Sequence, residues 1–173
     1  MNSNLRIVPI LAFAWFVTGA CGQDVHYDYD RDADFAAFKT YQWVDIGGGA
    51  RDQLRDQNIK RAVDEQLAQK GLTKVDQGAD LYVGYQAALK EEKSVSVWGT
   101  GPRWRGGMGQ AVTSTILMGT LVVQIYDPAR KQLIWRGDAT KAIELSKDPD
   151  KNYKNLQKAT AKLFKSYPPP VKR

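Results

Sequence analysis

The sequence predicts an α+β fold in which a mainly antiparallel sheet carries two amphipathic helices on one face. Several segments have apolar residues at every second position, which is typical of strands. Two other segments repeat apolar residues every three or four positions, as amphipathic helices do. In residues 119–139, a polar turn containing Pro128 separates two alternating halves, which indicates a β-hairpin.

Residues 1–20 have the parts of an export signal. Arg6 supplies a positive charge, residues 7–17 are almost uninterruptedly apolar, and residues 18–20 are small. The apolar run is shorter than the roughly 20 residues that a membrane-spanning helix needs. We therefore predict that residues 1–20 are a signal peptide.

Cys21 is the only cysteine and directly follows these small residues. Its position resembles the lipobox of bacterial lipoproteins, in which the cysteine is lipidated and becomes the first mature residue. Thr18 departs from that pattern, which usually has Leu, Val or Ile there, and ordinary cleavage near Ala20 or Gly22 is the alternative. We predict a lipid anchor at Cys21 followed by a short tether, residues 21–24.

Gly22, rather than Asp, follows the cysteine, and this resembles an outer-membrane sorting signal. The expected location is therefore the outer membrane, facing the periplasm. Without lipidation, the protein would be periplasmic or secreted.

The composition fits a single domain, for which we take residues 25–173. The chain of 173 residues is 43% hydrophobic and 25% charged, with a net charge of +6. Its lysines and arginines are scattered, so we expect no nucleic-acid partner. Because Cys21 and His26 are the only residues of their kinds, an intrachain disulfide and a Cys/His zinc cluster are excluded, and we expect no metal or cofactor.

The first part of the domain is predicted to contain two strands and a helix. Residues 25–29 alternate apolar and polar side chains, and residues 40–44 are β-branched and aromatic. The aspartates between them fit turns and caps, because the spacing of a calcium-binding EF-hand is absent. Residues 52–70 have helical periodicity, and Gly71 can end such a helix in a left-handed conformation.

The middle of the chain is predicted to supply further strands. Residues 79–89 and 94–98 form two of them, with a possible turn at Glu91-Glu92, and another strand begins at about Thr113. This last strand leads into the hairpin of residues 119–139. The hairpin is expected to place these residues in the core: Leu121, Val123, Ile125, Leu133 and Trp135.

A second helix is predicted near the C-terminus. Asp148 before Pro149 is typical of a helix start, and the prolines at 168–170 would end the helix. Its apolar stripe consists of Tyr153, Leu156, Thr160, Leu163, Phe164 and Tyr167.

Residues 99–109, here called the Gly/Trp/Arg loop, contain five glycines and one proline. This composition predicts a long mobile loop. Trp98 and Trp104, together with Arg103 and Arg105, could stack on sugars, bases or another protein. The alternative is that the tryptophans pack back on the sheet while the arginines remain in solvent. The loop is the best candidate binding feature in the sequence.

The sequence offers little for catalysis. A Ser-His-Asp arrangement could use only His26 as its base, and no nucleophile motif lies near it. A carboxylate pair such as Asp28 and Asp30 remains as an alternative, because such pairs are recognised by geometry. We therefore expect that the protein is not an enzyme.

Four segments of the sequence are weak signals individually but specific in combination. They are VHYDYDRDADFAAFKTYQWV from Val25, the first helix with KGL and GADLYVGYQ after it, GTLVVQIYDPARKQLIWRGDA from Gly119, and the last helix running into YPPP. In combination they resemble the domain-of-unknown-function 4136 family of bacterial envelope lipoproteins. The resemblance implies an exported, usually lipidated α+β domain without an established activity, and it provides no catalytic or binding residues.

These observations lead to a hypothesis about function. We expect a non-catalytic envelope protein, anchored to the membrane at Cys21, whose surface binds or scaffolds an envelope polymer or another envelope protein. The alternative is a carbohydrate- or peptidoglycan-binding module that uses the Gly/Trp/Arg loop. A hydrolase is the hypothesis with the least support.

Overall fold

The computed structural model describes residues 24–50, 52–98, 110–143 and 146–170. It confirms the α+β class, with six strands in one sheet and two α-helices. In chain order the elements are β1 (Asp24–Tyr29), β2 (Thr40–Trp43), α1 (Gln53–Gln69), β3 (Thr73–Lys74), β4 (Leu81–Trp98), β5 (Gln110–Asp127), β6 (Gln132–Ala142) and α2 (Pro149–Leu163), with a 3₁₀ turn at Phe164–Ser166 after α2. Neither helix of the described residues has the length and apolar character needed to cross a membrane.

The strands lie in the order β1-β6-β5-β4-β2-β3. The pairings of β1 with β6, β6 with β5 and β5 with β4 are antiparallel, as expected. Residues 128–131 form the short connection between β5 and β6. In contrast, β2 is parallel to both β4 and β3. The helix α1 carries the chain back between β2 and β4, which allows this parallel pairing. The sequence did not indicate β3.

Both helices pack against the same face of the sheet. Alternate residues of β4 and β5 point to that face, and the fully buried ones include Val83, Val123 and Ile125. Trp135 of β6 is also fully buried and stacks on Phe164 with ring centroids 5.2 Å apart. These contacts form a single core between the sheet and the helices.

Both helices begin as their sequences predict, and α1 also ends as predicted, whereas α2 ends at Leu163, before the prolines that were expected to end it. The Asp52 side chain accepts hydrogen bonds from the amides at the start of α1, and the Asp148 side chain caps α2 in the same way. After α1, Gly71 has a φ of 84°, and the amide of Leu72 donates to the carbonyl of Leu67 at 3.0 Å. The predicted stripe of α2 is confirmed by the burial of Thr160 and of the residues that follow it on the same face: Leu163, Phe164 and Tyr167.

The predicted turn at Glu91-Glu92 is wrong. Residues 81–98 form one continuous strand, and residues 82–98 of it pair with residues 110–126 of β5. The charged residues from Lys90 to Lys93 suggested a turn. Their side chains are exposed, so placing them in a strand that extends beyond the core requires no burial of charge. Strand β5 accordingly begins at Gln110 rather than near Thr113.

The prediction that Leu133 is a core residue is also wrong, since the side chain is 38% exposed. The register shifts between Ile125 and Tyr126, so that Ile125 lies opposite Trp135 whereas Tyr126 lies opposite Leu133. This β-bulge makes Ile134 the extra residue, and Ile134 is fully buried. The other four predicted core residues of the hairpin are buried.

Candidate functional site

A cleft of about 340 Å³ lies between the N-terminal half of α1 and the edge of the sheet. Its lining combines aromatic, charged and glycine residues: Trp43, Asp45, Gly47, Gly48, Gly49, Asp56, Lys60 and Tyr85 are the main ones. The cleft therefore offers both a ring surface and hydrogen-bonding groups to a ligand.

The segment from Val44 to Ala50 forms one wall of the cleft. It follows the edge of β4, where the Val44 amide donates to Val83 and the Ala87 amide donates to Gly48, both at 2.9 Å. Gly47 and Gly48 have φ angles of 75° and 74°, which are unfavourable for other residues. The glycines thus let the chain curve around the cleft.

A tyrosine, an aspartate and a lysine are connected at the base of the cleft. The Tyr85 hydroxyl donates to Asp56 at 2.6 Å and accepts from the Ala50 amide at 3.1 Å. The Lys60 ammonium donates to the second oxygen of Asp56 at 3.0 Å. Asp56 and Lys60 are four residues apart on α1, so both project from the same side of the helix.

This network shifts two pKa values. Burial, reinforced by the hydrogen bond to Asp56, raises the pKa of Tyr85 to about 12. Burial also acts to raise the pKa of Asp56, but the hydrogen bonds from Tyr85 and Lys60 outweigh it and leave that pKa below its usual value. At neutral pH the hydroxyl is therefore protonated and the carboxylate is charged.

A second network fixes the aromatic wall. One oxygen of Asp64 accepts from the Tyr41 hydroxyl at 2.7 Å and from the Trp43 indole at 2.8 Å. The other oxygen binds the Lys74 ammonium at 3.1 Å. Trp43 also packs edge-to-face on Tyr85, with centroids 5.9 Å apart. Because its ring is held on two sides, Trp43 is a rigid surface for a ligand.

The polar groups of the cleft are engaged in contacts with one another. The protonated Tyr85 hydroxyl is a poor nucleophile, and its hydrogen bonds are already made within the network. The Lys60 ammonium lies 6.0 Å from the Trp43 ring centroid and is paired with Asp56. Among the described residues, no group of three or more His, Cys, Asp or Glu side chains could hold a metal ion.

Most of the site residues predicted from the sequence lie outside the described residues: Cys21, Arg103, Trp104 and Arg105. Trp98 is the last residue of β4, and its backbone pairs with Gln110. The Gly/Trp/Arg loop therefore joins the far ends of the two longest strands. Its proposed binding role remains a prediction.

The residues considered for catalysis each have their own surroundings in the fold. His26 is exposed on β1 and lies opposite Asp138 in the sheet. The Asp28 carboxylate accepts from the amide of the next residue, whereas Asp30 accepts from the Asp32 amide and lies 3.2 Å from Arg130. Each aspartate thus has a local structural contact.

Sequence reasoning missed the cleft. Two signals were present, namely the three glycines soon after Trp43 and the i,i+4 spacing of Asp56 and Lys60. Neither is specific, because glycine loops and such charge pairs are common on protein surfaces. Only the parallel pairing of β2 with β4 places Trp43 beside Tyr85.

Comparisons with known proteins identify a family and a fold. Residues 25–169 match the family described as Domain of unknown function (DUF4136). A search of curated proteins gave no match.

Solved structures share the fold at low sequence identity. A PDZ domain protein from Parabacteroides distasonis is 15% identical with a TM-score of 0.56, over 86% of this chain. The match spans only 36% of that protein. The PelC dodecamer from Paraburkholderia phytofirmans is 10% identical with a TM-score of 0.50, over 83% of this chain and 95% of its own.

Proposed function

The chain belongs to the DUF4136 family, and from this premise we propose that it is an exported envelope protein, anchored by a lipid at Cys21, with a non-catalytic binding or scaffolding role. The anchor places the domain on the outer membrane, facing the periplasm. Its partner is an envelope polymer or another envelope protein.

The position of β1 is the observation that carries this proposal. Strand β1 begins at Asp24, only three residues after Cys21. Three residues span at most about 10 Å. A lipid on Cys21 would therefore hold the folded domain directly against the membrane surface.

The sheet register also shows on which side of the sheet the anchored terminus lies relative to the β4–β5 hairpin. Asp24 lies opposite Thr140 of β6, and Thr140 lies opposite Thr120 of β5, which pairs with Ala88 of β4. From that level, β4 and β5 continue for ten further residues to Trp98 and Gln110. The anchored terminus and the extended hairpin thus leave the sheet from the same end, which supports a role close to the membrane.

The cleft supports the binding part of the proposal. It combines the rigid Trp43 ring with the charged pair Asp56 and Lys60, in a volume suited to a small polar group or a single sugar ring. The scaffolding part draws support from PelC, which shares the fold and forms a dodecamer.

A carbohydrate- or peptidoglycan-binding module that uses the Gly/Trp/Arg loop is the second candidate. The pairing of Trp98 with Gln110 favours it, because the long hairpin carries the ends of this loop away from the core. Tryptophan and arginine side chains at such a position could stack on sugar rings.

Membrane fractionation tests the anchor. The Cys21→Ser variant should move from the membrane fraction to the soluble fraction, because it has no thiol to acylate. Thr18→Leu, which restores the usual lipobox residue, should remain in the membrane fraction. The anchor proposal fails if Cys21→Ser partitions as the unmodified protein does.

Retention on purified cell-wall polymer separates the two binding candidates. In the second candidate, changing Trp98 and Trp104 together to Ala abolishes retention, whereas Lys60→Gln in the cleft leaves it unchanged. Unchanged retention of the Trp98→Ala/Trp104→Ala variant would exclude the loop as the binding element.

A further inference from the structure

Helix α2 carries a row of lysines on the side that faces away from the sheet. These lysines are three or four residues apart, so they fall on one narrow face of the helix and of the 3₁₀ turn that follows it. That face is opposite the stripe that packs on the core, which includes the buried Thr160 and Leu163. The members of this lysine row are all exposed: Lys151, Lys154, Lys158, Lys162 and Lys165.

The positive charge of the protein is concentrated around the lysine row. Residues 151–173 contain seven lysine and arginine residues and no aspartate or glutamate. Residues 1–150 contain 18 basic and 19 acidic residues, a net charge of −1. Two of the seven basic residues, Lys172 and Arg173, lie outside the described residues. The net charge of +6 is therefore a property of one surface, although the lysines look scattered along the sequence.

The charges of the lysine row are not neutralised by the fold. In the part of the chain that the structure describes, no carboxylate lies within ion-pair distance of these lysines. Glu65 of α1 contacts α2, but it accepts from the Tyr153 hydroxyl and the Gln157 amide, both at 2.8 Å. Like charges three or four residues apart on a helix repel each other. The row is thus available to an external anion, which would relieve this repulsion.

The lysine row is a line of charge rather than a broad patch. From Lys151 to Lys162 it extends for about 17 Å along the helix axis, with a charge about every 4.5–6 Å. The exposed residues on its two sides, Asn155 and Ala161, are neutral. Lysine supplies a point charge, without the planar fork with which arginine recognises one particular anion. Such a line matches a linear polymer with regularly repeated anionic groups.

We propose that the lysine row binds an acidic polysaccharide, a linear chain that carries carboxylate groups along its length. This inference rests on the proposed function, because it gives the chemical class of the envelope polymer. A membrane surface fits the row less well. Amphipathic helices bind a bilayer through their apolar face, and the apolar stripe of α2 is buried in the core of this domain.

Binding to soluble polygalacturonate tests the proposal. The full-length Cys21→Ser chain, which has no lipid, should bind polygalacturonate but not its fully methyl-esterified, neutral form. Added salt should weaken this binding, because salt screens the charges and its cations compete with the lysines. The Lys154→Gln/Lys158→Gln/Lys162→Gln variant should bind at least about tenfold more weakly. The corresponding variant with three Lys→Arg changes keeps the charge and should retain binding.

The matched control is Lys90→Gln/Lys93→Gln/Lys131→Gln, which removes three exposed charges outside the row. It should bind nearly as well as the Cys21→Ser chain. Thermal unfolding checks that each variant is folded, and polygalacturonate should raise the Tm of the control but not that of the row variant. Equal losses in the two glutamine variants would show that net charge alone is responsible and would overturn the proposal.

Vesicles of phosphatidylglycerol and phosphatidylcholine test the membrane as the competing partner. Tighter binding to these vesicles than to polygalacturonate, lost in the Lys154→Gln/Lys158→Gln/Lys162→Gln variant, would assign the row to the membrane and overturn the proposal. A chain that is anchored at Cys21 and retained on cell-wall polymer, but does not bind polygalacturonate, would refute this inference and leave the proposed function standing.

Discussion

At the residue scale, two carboxylates organise the cleft. Asp64 holds the Trp43 indole and the Tyr41 hydroxyl, and Asp56 holds the Tyr85 hydroxyl. Each carboxylate also binds a lysine, so none of these charges is left without a counter-ion. The aromatic residues are consequently fixed by hydrogen bonds as well as by packing, which limits the reorganisation that a ligand would require.

Alkaline unfolding tests the Tyr85 network. The pKa of Tyr85 is about 12 in the folded protein and about 10 in an unfolded chain. Its contribution to stability is therefore fully present below pH 10 and is lost as the pH rises towards 12. In this window Tyr85 lowers the free energy of unfolding by up to about 1.4 kcal/mol per pH unit.

The Tyr85→Phe variant should lose this part of the pH dependence. Burial also raises the pKa values of Tyr41 and Tyr167, so a shallower decrease should remain. Urea unfolding at several pH values between 9 and 12 measures both slopes. Identical slopes for the variant and the unmodified protein would show that the Tyr85 hydroxyl is not held in this way.

At the element scale, the sequence predicted most of what local chemistry determines. The caps of α1 and α2, the left-handed Gly71 and the hairpin around Pro128 all depend on residues close together in the chain, and all were found as expected. The errors occurred where tertiary context overrides local preference. The charges from Lys90 to Lys93 are compatible with a strand because it leaves the core, and Leu133 is exposed because of a bulge.

The packing of β6 under α2 depends on Gly137. A Cβ atom at this position would lie 2.4 Å from the Trp135 ring and 2.7 Å from Leu163. Because both side chains are fully buried, neither can move easily. Gly137→Ala should therefore destabilise the protein by about 1–3 kcal/mol, as measured by urea unfolding.

A double-mutant cycle with Trp135→Phe identifies the cause of this loss. The smaller ring leaves room for the added methyl group, so Gly137→Ala should cost at least about 0.5 kcal/mol less in the Trp135→Phe background. Strict additivity would show that the loss arises elsewhere, for example from the backbone of β6.

At the scale of the whole molecule, the sheet register shows where β1 begins relative to the extended β4–β5 hairpin. The family and the α+β class were predicted correctly, because the motifs that resemble the family and the periodicity of strands and helices can be read along the chain. The predicted leader lies outside the described residues. The sequence could not predict that Asp24 lies level with Ala88 of β4, or that Trp43 lies beside Tyr85. Both follow from pairings between segments far apart in the chain, which no local pattern specifies.

The proposed lipid anchor would fix the orientation of the domain relative to the membrane. A lipid at Cys21 would hold β1 against the bilayer, and the extended β4–β5 hairpin leaves the sheet from that same end. The segment that follows β2 forms one wall of the cleft and lies beside β4. Anchoring and presentation of a binding or scaffolding surface are thus parts of one proposal.

Mass spectrometry of the mature N-terminus, on protein purified from a membrane fraction, tests this central claim most directly. We expect a chain that begins at Cys21 and carries the mass of a diacylglyceryl group, with or without an additional N-acyl chain. An unmodified N-terminus, at Cys21 or at any later residue, would contradict it.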